Sequence, residues 1–353
     1  FMSLKSYFGG RPWKEWPEEL RHRERESMSQ AKAEMESDIL FWKGVQFLFF
    51  EQWERLKSLA EAKGISIIGD IPIYVAEDSS DVWAHSDQFQ MDADLHPTRV
   101  AGCPPDGFSA DGQLWGNPLF NWEQMRADGY HWWLHRISFQ FRFYDVLRID
   151  HFRGFDAYYA IPASAETAKE GTWEAGPGLD FFRAVEKVVG QRPIIAEDLG
   201  FLTPSVHQLL KNTGYPGMKV LEFAFDSGEA NDYLPHNYTE NCVVYSGTHD
   251  NDTLMGWAAK AKPEDVAFAR QYCKMPEWET FNWGIIRTAY ESVANTAIIQ
   301  MQDILGLGTE ARMNVPSTLG GNWVWRIDGS VLTDELANQL KEMVINSSRL
   351  EEN

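Results

Sequence analysis

Three strand-like runs in this chain each end in a carboxylate. They are Asp150 in Val146-Leu-Arg-Ile-Asp-His151, Glu197 in Pro193-Ile-Ile-Ala-Glu-Asp-Leu199, and Asp250 in Val243-Val-Tyr-Ser-Gly-Thr-His-Asp250. Each run is apolar and β-branched before it turns polar, as a buried parallel strand does where it ends at a site. Strands of this kind alternating with helices predict an α/β fold, a (β/α)8 TIM barrel whose active site lies at the carboxyl ends of its strands. A single acid at a strand end reads as a helix cap or an ion pair. Three of them, with an arginine and a histidine beside them, are equipment for glycosidic bond chemistry.

The strand count refines this expectation. Strands are expected over 65–75, 146–150, 193–197, 218–225, 242–247 and about 298–304, whereas a closed barrel needs eight. The segment before residue 65 is helical or irregular, so the first two barrel strands are expected to be missing from this chain. Residues 1–27 are polar and proline-punctuated and read as a surface connection. From Glu36 to Lys63 apolar residues recur at helical spacing, and Gly64 follows as a C-cap. Residues 76–128 hold many turn formers and little periodicity. They are too long for an ordinary strand–helix loop and read as an inserted lid within one catalytic domain spanning 1–353. Leu134, Ile137, Phe141 and Tyr144 form a helical stripe leading into the Asp150 strand. Further helices are expected over 179–189, from Thr203-Pro204 to Gly214, across about 253–295, and over 332–347.

Composition narrows the partners. Lys+Arg 32 against Asp+Glu 52 leaves a net charge of -20, which repels nucleic acid and anionic membranes. No apolar run reaches the roughly 18 residues needed to span a bilayer. The longest, Val45 to Phe50 with its flanks, reads as a core helix. Cys103, Cys242 and Cys273 are too scattered for a disulfide framework or a zinc site. Cys242 reads as a buried small hydrophobe. With no signal-peptide pattern visible, a cytoplasmic enzyme is expected. Fifteen tryptophans suit a protein that handles sugars, whose apolar C–H faces stack on aromatic rings. Trp53, Trp132 and Trp133 sit in helical patterns and read as core.

Arg148 and Asp150 are two apart on a strand, so their side chains share a face. The neighbouring guanidinium keeps Asp150 ionised, as a nucleophile must be; the alternative is a structural ion pair. Burial at the end of an apolar strand suits Glu197 to a general acid. Asp198 points the other way and reads as a cap of the following turn. For His249-Asp250-Asn251-Asp252, metal binding is the rival reading, but the stretch lacks the spacing of zinc sites. No metal and no cofactor is called for.

These motifs carry a resemblance. Arg148-Ile-Asp-His-Phe-Arg-Gly154, Ala196-Glu-Asp-Leu-Gly200 and Gly247-Thr-His-Asp-Asn-Asp-Thr253 resemble the motifs of the 4-α-glucanotransferases, glycoside hydrolase family 77 of the α-amylase clan. Gly69-Asp-Ile-Pro-Ile-Tyr-Val75 resembles that clan's first conserved region. Pro104-Pro-Asp-Gly-Phe-Ser-Ala-Asp-Gly-Gln-Leu-Trp-Gly-Asn-Pro118 resembles a loop typical of this family. The similarity runs from Gly9-Gly-Arg-Pro-Trp13 to the final helix. Members carry an additional amino-terminal stretch with the first barrel strands, which agrees with the strand count.

The resemblance implies Asp150 as nucleophile, Glu197 as acid/base and Asp250 as transition-state stabiliser. It implies that Arg148 and His249 bind the sugar at the cleavage point, with Asp70 and Tyr74 lining the same mouth. Trp115 and Gln113 would reach the donor sugar from the lid loop, unless Trp115 merely packs that loop. His151 reads as structural. The implied donors are maltooligosaccharides and α-1,4-glucans, and the acceptors glucose or another glucan. A hydrolase of the same clan, the transferase half of a debranching enzyme, and an inactive glucan-binding fragment remain open alternatives.

Overall fold

The computed structural model describes residues 1–105, 110–200, 202–227 and 231–350. Within the family-like loop, Asp106 to Ser109 therefore lie outside the described residues. The chain divides into two compact units, Phe1–Tyr215 and Pro216–Asn353.

Among the described residues the first unit holds seven strands: β1 (Ile68–Ile71), β2 (Arg99–Cys103), β3 (Gln113–Pro118), β4 (Val146–Ile149), β5 (Ala157–Pro162), β6 (Thr172–Ala175) and β7 (Ile194–Ala196). β1, β4 and β7 form a parallel sheet in that order. Asp70 lies opposite Arg148, and Arg148 opposite Ile195. The strand expected over 65–75 is shorter because Pro72 has no N–H to continue the ladder. Inside β1, Gly69 leaves room for the Tyr144 ring: a Cβ there would fall 2.0 Å from Tyr144 Cδ2.

The four remaining strands form a separate antiparallel sheet, β3-β2-β5-β6. It draws on 76–128 for two strands and on 157–175 for two more. None of the four was expected from the sequence. Polar positions and a glycine interrupt the pattern in β2 and β3, β6 is only four residues long, and β5 is a continuous apolar run without period-2 alternation. Trp115 consequently stands on a strand, β3, rather than on a loop.

Residues 1–27 are not a surface connection. Helices span Met2–Tyr7 and Glu18–Arg21, and a third begins at Arg25. Leu4, Trp13 and Trp16 are buried in the unit's core. Their aromatic area outweighs the polar residues between them, and the Trp13 indole N–H donates to the Glu77 carbonyl at 2.7 Å. Trp132 and Trp133 are buried as expected and Trp53 is half-buried.

The helix Glu36–Ala62 forms where periodicity placed it, but it is not a core helix. Val45, Phe47, Leu48 and Phe49 are exposed on the described chain. Consecutive apolar residues in a helix spread around the axis, so a single packed side cannot cover them all. Phe50 and Trp53 meet Phe143 on one side.

The second unit contains β8 (Gly217–Val220), β9 (Cys242–Tyr245) and β10 (Thr296–Ile298), a parallel sheet in the order β10-β9-β8. The run expected as a strand to residue 225 leaves the sheet at Leu221, in a 3-10 turn over Leu221–Phe223. The strand expected over about 298–304 ends at Ile298, and a short helix follows over Met301–Ile304. Helices Leu254–Lys260, Pro263–Tyr272, Phe281–Glu291 and Asp334–Asn346 account for the other expected elements. Cys242 is buried in this unit's core, with Val244 and Ile285. Among the described residues no helix is long and apolar enough to cross a membrane.

Candidate active site

Asp70, Asp150 and Glu197 fall at the carboxyl ends of β1, β4 and β7, the ends at which a parallel α/β sheet presents its side chains. The backbone sets their spacing. Asp150 N–H donates to the Ile71 carbonyl at 3.0 Å, Glu197 N–H to Ile149 at 2.9 Å, and Phe152 N–H to the Glu197 carbonyl at 3.0 Å.

Arg148 is the electrostatic centre of this group. Its Nη1 lies 2.7 and 2.6 Å from the two Asp70 oxygens and 3.1 Å from Asp150 Oδ1. Burial alone would lower the pKa of this guanidinium. Asp70, Asp150 and Glu197 outweigh burial and hold it above its ordinary value. The guanidinium thus sets a fixed positive charge beside both Asp70 and Asp150.

Glu197 has the opposite environment. It is buried, and desolvation followed by the charge of Asp150 pushes its pKa up to about 7, against the pull of Arg148 and two backbone donors. Those donors are His151 N–H, 2.6 Å from Oε2, and Leu199 N–H, 2.9 Å from Oε1. One acid beside a cation and one raised by burial is the division of labour that acid–base chemistry at neutral pH requires.

His151 adopts a left-handed backbone, φ 50°. The residue is half-buried, and desolvation with the nearby Arg153 lowers its pKa to about 4, so it is neutral. The ring meets Trp115 edge-on at 4.9 Å. Trp115 also lies 6.2 Å from the Tyr74 ring, and its indole N–H donates to Gln113 Oε1 at 3.0 Å. Trp115 is half-buried against the core. The first unit thus brings Asp70, Tyr74, Gln113, Trp115, Arg148, Asp150 and Glu197 into one connected set.

In the second unit, His249 and Asp250 are adjacent on the turn after β9, with His249 Nε2 3.6 Å from Asp250 Oδ2. Three residues that the sequence reading missed hold them. Asn314 Nδ2 donates to Asp250 Oδ1 at 2.6 Å, and Asn314 N–H donates to the His249 carbonyl at 3.0 Å. Arg312 donates to the Asp250 carbonyl. The Trp323 ring stands 5.1 Å from the His249 ring and is 61% exposed. The 312–323 stretch mixes apolar and polar residues around Pro316 and Gly320-Gly321, with no periodicity to mark it. Among the described residues no group of His, Cys, Asp or Glu is arranged to hold a metal ion.

Comparison with known proteins adds to this geometry. The pattern of a family described as 4-alpha-glucanotransferase matches residues 1–333. A 4-alpha-glucanotransferase of Clostridium butyricum is 48% identical over 342 residues, covering 96% of this chain and 70% of that protein. One of Thermus thermophilus is 46% identical over 359 residues, covering 99% and 71%. Among solved structures, an amylomaltase from Streptococcus agalactiae in complex with acarbose superposes with a TM-score of 0.96 at 40% identity, covering 98% of this chain and 70% of that one. This likeness is consistent with the α/β TIM-barrel class expected from the strands.

Proposed function

The chain belongs to the 4-alpha-glucanotransferase family, and from that premise we propose a retaining transfer mechanism for its glucanotransferase activity. Asp150 attacks C1 of an α-1,4-linked glucosyl unit while Glu197 protonates the departing oxygen. A covalent glucosyl-Asp150 intermediate forms and the shortened glucan leaves. Glu197, now ionised, takes the proton from the 4-hydroxyl of an acceptor glucan or glucose. That oxygen displaces Asp150, and the glycosidic bond is remade with its configuration retained. Asp250 supports the oxocarbenium-like transition state. Arg148 and His249 bind the sugar at the cleavage point, Asp70 and Tyr74 line the same mouth, and Trp115 and Gln113 contact the donor.

The observation that carries this reading is the contrast between Asp150, beside the Arg148 guanidinium, and the buried Glu197, raised to about 7. A general acid must hold its proton at working pH and a nucleophile must not. Transfer outruns hydrolysis only where the intermediate is shielded from water, and we assign the shield to the 76–128 insertion of one catalytic domain. The donors are maltooligosaccharides and α-1,4-glucans, and the site of action is the cytoplasm.

Products from maltotriose test the reaction. Transfer yields a ladder of longer glucans with glucose, and no net gain of reducing ends. A steady gain of reducing ends would mean hydrolysis instead.

A further inference from the structure

Glu222 lies just beyond β8, in the 3-10 turn Leu221–Phe223, and is only 7% exposed. No role in the reaction above uses it. Its N–H donates to the Ser246 carbonyl at 3.3 Å, where β9 gives way to the turn that carries His249 and Asp250. Its side chain continues under that turn. A Cβ built on Gly247 would fall 2.6 Å from Gln300 Nε2, 3.1 Å from Asn251 Cβ and 3.2 Å from Glu222 Oε1, so these three side chains crowd the same point of the backbone. The Asn251 amide draws the Glu222 carboxyl's pKa down, less than burial and Asp303 push it up.

Asn251 closes the turn. Its Oδ1 accepts from Thr248 N–H at 2.9 Å and from Thr248 Oγ1 at 2.8 Å, and its own N–H donates to the Thr248 carbonyl at 3.1 Å. His249 and Asp250 are the two residues between these clamped ends. The direction of the Asp250 carboxylate therefore depends on where Asn251 is seated.

We propose that Glu222 is a positioning residue for glucan transfer: it seats Asn251, fixes the Thr248–Asn251 turn, and through that turn aims Asp250. The inference rests on the reading of Asp250 as a group that acts at the transferred sugar.

The groups facing Glu222 determine its ionisation. Burial comes first, then the charge of Asp303 on the helix Met301–Ile304; Asp252 adds in the same direction, while Asn251 and Arg312 oppose. The balance pushes the carboxyl up to about 9. Oε1 meets no hydrogen-bond donor among the described residues, so an ionised Glu222 would bury an uncompensated charge beside two other acids. Glu222 works as a neutral polar side chain, and a glutamine of the same shape can replace it.

The test uses Glu222→Gln and Glu222→Leu in the otherwise intact chain, with Asp250→Asn as reference and maltotriose as donor and acceptor. Glutamine should keep kcat within about twofold, whereas leucine, which fills the space but cannot hold Asn251, should lower kcat about tenfold or more with KM little changed. Wild-type kcat in the leucine variant overturns the proposal. So does an equal loss in the glutamine variant, which would mean that the charge matters, and so does a change confined to KM.

Should the leucine variant fail to fold, melting against pH decides. A carboxyl raised in the folded state binds a proton on folding, so wild-type stability falls as pH rises from about 4.5 towards 9, and Glu222→Gln should remove that slope. Parallel melting curves overturn the proposal. An inactive Asp250→Asn beside a fully active Glu222→Leu sinks this inference alone; an active Asp250→Asn sinks the reading of Asp250 and this inference with it.

Discussion

The backbone N–H of His151 donates to Oε2 of Glu197 at 2.6 Å. This bond ties the residue after Asp150, at the end of β4, to the acid at the end of β7. It forms because His151 adopts φ 50°, a left-handed conformation that costs a non-glycine residue about 1–2 kcal/mol. That strain sits at the point where two acids of unlike character must stay in register, and the ring of the same residue packs on Trp115.

Asp150→Asn should abolish turnover and leave the fold intact, because it removes a nucleophilic oxygen and little volume. Loss of a nucleophile costs several decades, so a rate above about a hundredth of wild type in a correctly folded variant would refute the assignment. Steady-state kinetics with circular dichroism settles it.

Glu197→Gln should cripple transfer between ordinary glucans but spare the first step with an α-glucosyl fluoride, whose leaving group needs no proton. Equal loss on both donors would show that Glu197 is not the general acid. The raised pKa of about 7 also predicts a stability effect. The folded state holds a proton that the unfolded chain has released, so this site's contribution falls as pH rises from about 4.5 to 7. The glutamine variant should melt with a flatter pH dependence over that range.

Trp115→Ala should weaken glucan binding by about 0.5–1.5 kcal/mol, roughly a two- to tenfold rise in KM. Trp115 also touches Tyr74 and His151, so some loss of melting temperature is expected as well. A large drop in melting temperature with unchanged KM would leave it a packing residue.

Asn314→Ala removes the 2.6 Å bond to Asp250 Oδ1. A hydrogen bond to a charged group is worth about 1.5–3 kcal/mol, less where water can replace it, so kcat should fall about tenfold. Asn314→Asp, which places a second negative charge against Asp250, should do more harm than alanine. If both variants keep wild-type kcat, Asn314 does not orient Asp250.

Gly69→Ala should destabilise the first unit by about 1–3 kcal/mol, the usual cost of forcing volume into a packed site. The new Cβ would fall 2.0 Å from a Tyr144 ring carbon. Thermal melting reads this directly, and an unchanged melting temperature would mean that the ring moves aside freely.

The sequence alone located five of the six parallel strands and the helices between them; the last, Thr296–Ile298, lies almost wholly before the run expected at about 298–304. These are local signals: β-branched apolar runs, helical periodicity and proline or glycine stops all act over a few residues. Asp150 and Glu197 stand out because each breaks an apolar run at its polar end, whereas Asp250 lies beyond the end of β9, on the turn with His249. The tertiary structure alone decided the rest. The antiparallel sheet β3-β2-β5-β6 depends on partners distant in the chain, so Trp115 could not be assigned to a strand from its neighbours. Trp13 and Trp16 are buried by contacts with later segments, which polar local composition conceals. The exposure of Phe47 to Phe49 was hidden too, because periodicity reports which residues share a helix face and not what covers that face. Asn314 reaches Asp250 across 64 residues of chain, and Glu222 owes its raised pKa first to burial and then to Asp303. Ionisation and aim are properties of an environment, and that environment exists only once distant parts of the chain have packed.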